Sequence, residues 1–300
     1  MTRTFVAPGK VVVAGEYAVV DGAPAIVAAV DLGVAVDVAP APVASVHTPH
    51  GDSRFVDAAL AATAAPPARW VFRDHGGAHL PSKPGLGGSA SATVVAVHAA
   101  RALADEDLAP QAVFAVADPV HRAVQGSGSG IDVAASTWGG TLRFRRGEVP
   151  RPVTDLPLVV VWTGHSAQTG PRVERYQAWS GRSAFVAAST ALVEGFDADP
   201  MAALREDGAL LVAMAAEAGI AYRTPELDRI VALATAHGGA AKPSGAGGGD
   251  CAVALLPDAE ATAAFVAACT ADGLVVLATR TAPGVHEEDA ATLDPQGARR

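Results

Sequence analysis

The apolar positions fall into short β-branched runs and longer Ala-rich stretches, and their order divides the chain in two. Phe5 to Val13 reads as a strand interrupted by the turn-like Ala7-Pro8-Gly9. Ala25 to Val38 mixes alternation with continuous apolar character and predicts further paired strands. Between them Gly15 to Gly22 is bounded by turn residues, and Asp21-Gly22 is a hairpin signal. Pro40 to Pro67 predicts a loop plus a helix. Thr93 to Leu103, unbroken and rich in Ala and Val, predicts a buried helix, and Ala109 to Val124 a second. Ile131 to Ser136 opens another helix after a run of glycines, and Thr141 to Arg145 alternates as a strand.

Asp155-Leu156-Pro157 marks the expected boundary, giving halves 1–155 and 156–300. Beyond it come a strand at Leu158 to Trp162 and a helical region Ala184 to Ala218, broken near Asp197 to Pro200. Helix Pro225 to His237, strand Cys251 to Leu256, helix Ala259 to Ala271 and strand Leu274 to Arg280 follow. Strict β-α alternation is missing, which predicts an α+β class rather than a doubly wound sheet.

Half of the 300 residues are apolar and 18% are charged, enough for two cores of ordinary size. The net charge of −9 argues against a nucleic-acid partner, because no basic stripe exists to displace counterions. The densest basic run, Arg143, Arg145 and Arg146, reads as a solvated strand end. Cys251 and Cys269 are too few for a disulfide framework or a cysteine-built zinc site, and fit a reducing cytoplasm. The N-terminus lacks the order of a signal peptide, and no uncharged apolar stretch reaches the ~18 residues of a membrane span. The expectation is a cytoplasmic protein with no membrane partner.

Three glycine-rich loops carry the candidate chemistry. Lys83-Pro84-Gly85-Leu86-Gly87-Gly88-Ser89-Ala90 feeds straight into the buried helix. A glycine loop that opens a helix offers free amides and the positive end of the helix dipole to an anion. It is not a Walker loop, since no Lys follows the glycines, nor a dinucleotide fingerprint. The second loop sets Ser127, Ser129, Gly130 and Asp132 together. Asp132 reads either as a helix N-cap or as a carboxylate at a phosphate site. The third, Gly238 to Asp250, has Lys242, Ser244 and Asp250 as its polar side chains.

These loops stand in the order and spacing of the GHMP kinases, and the chain resembles that superfamily from residue 5 to about 256. Ala7-Pro8-Gly9-Lys10 with Gly15-Glu16-Tyr17-Ala18-Val19 resembles the family's first motif. Pro84 to Ala92 resembles its phosphate loop, and Lys242 to Asp250 its third motif. The resemblance implies an N-terminal domain related to ribosomal protein S5 domain 2 and a ferredoxin-like C-terminal domain. It also implies ATP with its phosphates on Gly85 to Ala90, and Mg2+ with Ser89 as the metal-ligating serine.

Within the family, Ser129-Gly130-Ile131-Asp132 with Ser136 to Gly140 looks like the mevalonate and phosphomevalonate kinase branch, and Trp162 to Thr169 like the phosphomevalonate kinases. Mevalonate kinases carry a metal-binding glutamate eleven residues before the catalytic aspartate, where this chain has His121. A histidine cannot replace a carboxylate toward a hard cation. Two positions depart from the family pattern: Gly88 and Gln168 stand where serine is usual.

The branch resemblance implies a phosphorylated mevalonate as acceptor and Lys10 and Asp132 as the catalytic pair. Lys10 would bridge acceptor and γ-phosphoryl, Asp132 would hold Lys10 or Mg2+, and Glu16 would fix Lys10 or a backbone amide. Tyr17, Ser127, Ser129, Gly130, Ser244, Gly245 and Ala246 are the substrate-binding candidates, with Arg172 or Arg175 clamping an anion. Lys83 would touch ATP, and His121 is structural or close to the acceptor. Free mevalonate as acceptor, and a non-catalytic ATP-binding regulator of the same fold, are the competing readings. The protein is expected to be a monomer or homodimer.

Overall fold

The computed structural model describes residues 1–49, 51–63, 65–76 and 84–288. In the first half β1 (Arg3–Ala14) and β2 (Ala25–Pro40) are long antiparallel neighbours. β3 (Ser45–His47) and β4 (Ala68–His75) extend the sheet on one side. β5 (Thr141–Phe144) pairs with the first residues of β2 and continues to β6 (Arg151–Val153). At sixteen residues, β2 is long enough to pair with β5 near its start and with β4 near its end.

The turn-like Ala7-Pro8-Gly9 does not break β1. The register shifts between Pro8 and Gly9, so the proline sits at a bulge where its missing N–H is tolerated. Likewise Ala25 to Val38 is one strand, not several. Asp21-Gly22 ends a 3-10 turn (Ala18–Asp21) instead of forming a two-residue hairpin, with Gly22 at φ 86°.

Four helices cover one face of this sheet: α1 (Arg54–Ala62), α2 (Gly88–Leu103), α3 (Pro110–Gln125) and α4 (Ile131–Trp138). α2 is buried, as its composition predicts, because Ala and Val let it approach the strands closely. Its Val94 and Val97 pack with Phe5, Val36, Trp70 and Phe72.

The second half is built on an antiparallel sheet. β7 (Val159–Trp162) and β9 (Cys251–Leu255) are central, with β8 (Ala240–Pro243) and β10 (Val275–Leu277) at the edges. α8 (Pro225–Ala236) and α9 (Ala259–Ala271) pack on one face through Leu227, Ile230 and Phe265. The other face meets the first half, with Val160, Trp162 and Val253 against Val11, Val13, Ile26 and Leu86. α5 (Thr169–Ala178), α6 (Arg182–Glu194) and α7 (Pro200–Ala218) complete this half. The break foreseen near Asp197 to Pro200 separates the last two.

Three features depart from the sequence pattern. α5 was not foreseen, since among its residues only Tyr176 is buried. Ala240–Pro243 of the third glycine-rich stretch is a strand, leaving Ser244 to Asp250 as the loop proper. β11 (His286–Glu288) lies in the half that starts at residue 156, yet pairs with β1 in the first sheet. No helix among the described residues is long and apolar enough to cross a membrane.

Candidate active site

The phosphate loop turns at Gly85 (φ 77°) and Gly87 (φ 78°), both in the left-handed region that glycine tolerates. Gly87 is the N-cap of α2 and makes no side-chain capping bond, so the first amides of the helix remain available to an anion. A Cβ on Gly87 would stand 3.1 Å from Cγ and Cε of Lys10 and 3.6 Å from Oδ2 of Asp132. Glycine there leaves room for both side chains.

The Lys10 amide donates to the Leu86 carbonyl at 2.9 Å, tying β1 to the loop. Its Nζ lies 3.6 Å from Oδ1 of Asp132. Asp132 is in the first turn of α4, whose N-cap is Gly130 at φ 87° with no side-chain cap bond. The N-cap reading of Asp132 is therefore corrected: its carboxylate faces Lys10. Just ahead of Lys10, the hydroxyls of Ser91 and Ser136 both donate to the Pro8 carbonyl, at 2.7 and 2.8 Å. They pin the β1 bulge between α2 and α4.

Ser89 Oγ is 3.1 Å from Nε2 of His121, whose ring packs on Phe55 with centroids 5.1 Å apart. Burial lowers the His121 pKa, against the pull of the Asp132 and Asp118 charges. Burial thus favours the neutral imidazole.

The first and third motifs meet behind this centre. Lys242 Nζ donates to Glu16 Oε1 and lies 3.4 Å from Asp207 Oδ2. Glu16 also accepts from the Gly245 amide at 3.1 Å, and Asp207 from the Gly15 amide at 3.3 Å. All three charged side chains are buried. Burial pushes the Asp207 carboxyl up to about 7, opposed by the Lys242 cation and reinforced by Glu16. Of the two expected partners of Glu16, Lys10 or a backbone amide, the structure has the amide, that of Gly245, and adds Lys242 in place of Lys10.

Ser244 accepts from the Val12 amide at 2.8 Å, and the Tyr17 hydroxyl donates to the Ala246 carbonyl at 2.7 Å. These groups join the two halves.

Other expected residues scatter. Ser127 is exposed, and Ser129 accepts from the Ile131 amide at 3.4 Å. Arg146 is not a solvated strand end: it donates to Gly128 O at 2.9 Å and pairs with Asp118 at 3.1 Å, anchoring the second loop. Arg143 pairs with Asp197 at 2.8 Å across the halves. Arg172 donates to the carbonyls of Gln168 and Ala221, and Arg175 to that of Gly219, so both guanidiniums hold backbone. Lys83 lies outside the described residues. Asp118 and Asp207 were not singled out from sequence, because nothing local distinguishes them from ordinary helix carboxylates.

Residues 71–140 match the GHMP kinases N terminal domain and residues 191–273 the GHMP kinases C terminal domain. The chain is 32% identical to the phosphomevalonate kinase of Streptomyces sp. strain CL190, covering 87% of this chain and 91% of the relative. It is 30% identical to the mevalonate kinase of Archaeoglobus fulgidus, covering 87% and 94%. Its fold superposes on Streptococcus pneumoniae phosphomevalonate kinase in complex with phosphomevalonate and AMPPNP with a TM-score of 0.79, at 20% identity over 94% and 100% of the two chains. With both domain models matched and the two-domain architecture in place, the chain belongs to the GHMP kinases, a family of ATP-using phosphotransferases.

Proposed function

We propose that the protein acts in the mevalonate pathway, transferring the γ-phosphoryl of ATP to 5-phosphomevalonate and yielding 5-diphosphomevalonate and ADP. The observation that carries this reading is the Lys10–Asp132 pair, 3.6 Å apart beside the glycine-capped start of α2. An oxygen of the acceptor phosphate bonds to the γ-phosphorus as the bond to the β–γ bridging oxygen breaks, and ADP leaves. The acceptor is already ionised near neutral pH, so bringing two anions together is the larger task. Lys10 neutralises charge on the transferring group, and the free α2 amides hold the nucleotide phosphates.

Among the described residues no group of three or more His, Cys, Asp or Glu side chains could hold a metal unaided. A hydroxyl at Ser89 and a carboxylate at Asp132 nonetheless fit Mg2+, which keeps several waters and binds through one or two protein oxygens plus substrate phosphates. Those two residues would hold it, and the ion would neutralise phosphate charge. His121, whose pKa burial lowers, is hydrogen-bonded to Ser89 and adds no second carboxylate.

The choice of acceptor rests on the Streptomyces relative and on His121. The alternative is mevalonate itself, favoured by the Archaeoglobus relative, with Asp132 taking the proton of a primary alcohol. Steady-state ADP release with MgATP, comparing the two acids at matched concentration, tests the choice. Faster turnover of 5-phosphomevalonate is expected; preference for mevalonate would overturn it.

A further inference from the structure

Asp250 closes the third glycine loop, and neither the motifs nor the comparisons assign it a role. Its backbone is left-handed, with φ 54°, directly after Gly247, Gly248 and Gly249. A non-glycine residue in this region costs about 1 kcal/mol or more, and such strain persists where the surroundings demand that side chain. Here the side chain has specific partners. Oδ1 accepts from the Ala167 amide at 3.0 Å. The Asp250 amide donates to His165 O at 2.7 Å, and its carbonyl accepts from the amide and the hydroxyl of Thr163, each at 2.9 Å. One residue therefore holds the whole turn that follows β7.

The same carboxylate faces the phosphate loop. A Cβ added to Gly85 would stand 2.4 Å from Cγ and 2.6 Å from Oδ2 of Asp250, so glycine at position 85 is what allows the approach. The next residue, Cys251, donates its thiol to Pro84 O at 3.1 Å. Gly85 leads to Leu86, whose carbonyl takes the amide of Lys10. A continuous path thus runs from the turn after β7, through Asp250 and Gly85, to the backbone of Lys10. Burial raises the Asp250 pKa, while the cations of Lys10 and Arg172 lower it. A carboxylate next to an anion-binding loop does not attract phosphate, which leaves positioning as its use.

We propose that Asp250 is a positioning residue for phosphoryl transfer, latching the Thr163–Ala167 turn of the C-terminal half to Gly85 of the phosphate loop and so setting where Lys10 stands. The proposal rests on the assignment of Pro84 to Ala90 as the phosphate loop.

The test compares Asp250→Asn with Asp250→Gly in the full chain. Asparagine keeps an acceptor for Ala167 and tolerates the left-handed backbone; glycine relieves the strain and keeps the backbone bonds to Thr163 and His165, but removes the side-chain latch to Ala167 and Gly85. Asp250→Gly should retain or raise the unfolding temperature. Its kcat with MgATP and the preferred acid should nonetheless fall about 30-fold or more, with KM for ATP changed by less than about 3-fold. Asp250→Asn should keep kcat within about 3-fold of wild type.

Amide exchange at Ala167 should quicken about tenfold in the glycine variant and stay unchanged in the asparagine variant, reading the latch whether or not the acceptor is known. Failure of the wild type to use either acid, with exchange behaving as stated, would fault the functional reading alone. Wild-type kcat in Asp250→Gly, equal loss in both variants, unaltered exchange in Asp250→Gly, or a loss that tracks a lower unfolding temperature would each overturn the latch.

Discussion

Among the described residues two lysines face carboxylates, and their surroundings differ. Lys10 pairs with the carboxylate of Asp132, and their side chains are 9% and 34% exposed. Lys242 meets two, Glu16 and Asp207, and all three are sealed at 0%, 3% and 1%. In the first place the pair reaches solvent mainly through the carboxylate. In the second the carboxylates outnumber the cation, and the raised Asp207 pKa lets a proton restore balance. The same functional groups leave a carboxylate within reach of solvent in one place and form a sealed clasp between halves in the other. Their worth as a clasp lies in what would be left unpaired: a broken buried pair strands a charge away from water.

That contrast can be broken at either lysine. Lys10→Met should lower kcat by about 10³-fold or more while leaving the unfolding temperature within a few degrees, measured by ADP release and thermal denaturation. An equal drop in stability would mean that Lys10 is structural too. Lys242→Met should do the reverse. Two buried carboxylates without their cation cost about 3–5 kcal/mol, which lowers the unfolding temperature by about 10 °C in a chain of this size. Assayed well below that temperature, its kcat should stay within about tenfold of wild type.

A smaller effect sharpens the comparison through pH. The folded-state pKa of Asp207 is raised above the usual 3.8, so the folded protein binds this proton more tightly than the unfolded chain. Its contribution is fully present below about pH 4 and is lost as pH rises through about 7. Asp207→Asn should remove that part of the pH 4–7 slope in unfolding free energy, measured by denaturant titration. His98 acts in the opposite sense over a similar range. Its pKa is lowered to about 4 by burial, so its contribution is present above about 6.5 and lost as pH falls. In Asp207→Asn the opposing His98 slope should therefore stand out more clearly.

The smallest effect is expected at Gly88, where an added Cβ meets nothing within 4 Å in the first turn of α2. Gly88→Ala should stabilise by up to about 1 kcal/mol with KM for ATP changed by less than about 2-fold.

Much of this was legible locally. The break before Pro200, the span Ala259–Ala271 of α9 and the burial of α2 follow from composition and period, because each element's own residues decide them. α5 was missed because its sequence shows no apolar stripe, and β11 because its partner strand lies some 280 residues away. The site divides in the same way. The three glycine loops and Lys10 stood out as a set, and so did a backbone amide for Glu16, but its pairing with Lys242 did not. The anchoring role of Arg146 was also hidden, since Asp118 reaches it across the fold.

The sequence by itself determined the class of elements, the glycine-rich loops and the kinase family, because φ preferences, helix period and ordered motifs are written residue by residue. Only the tertiary structure decided which lysine pairs with a partly exposed carboxylate and which with two sealed ones, and that Asp250 bridges two loops. Exclusion of water and contact between distant segments are created jointly by both halves, and no single stretch of chain contains them.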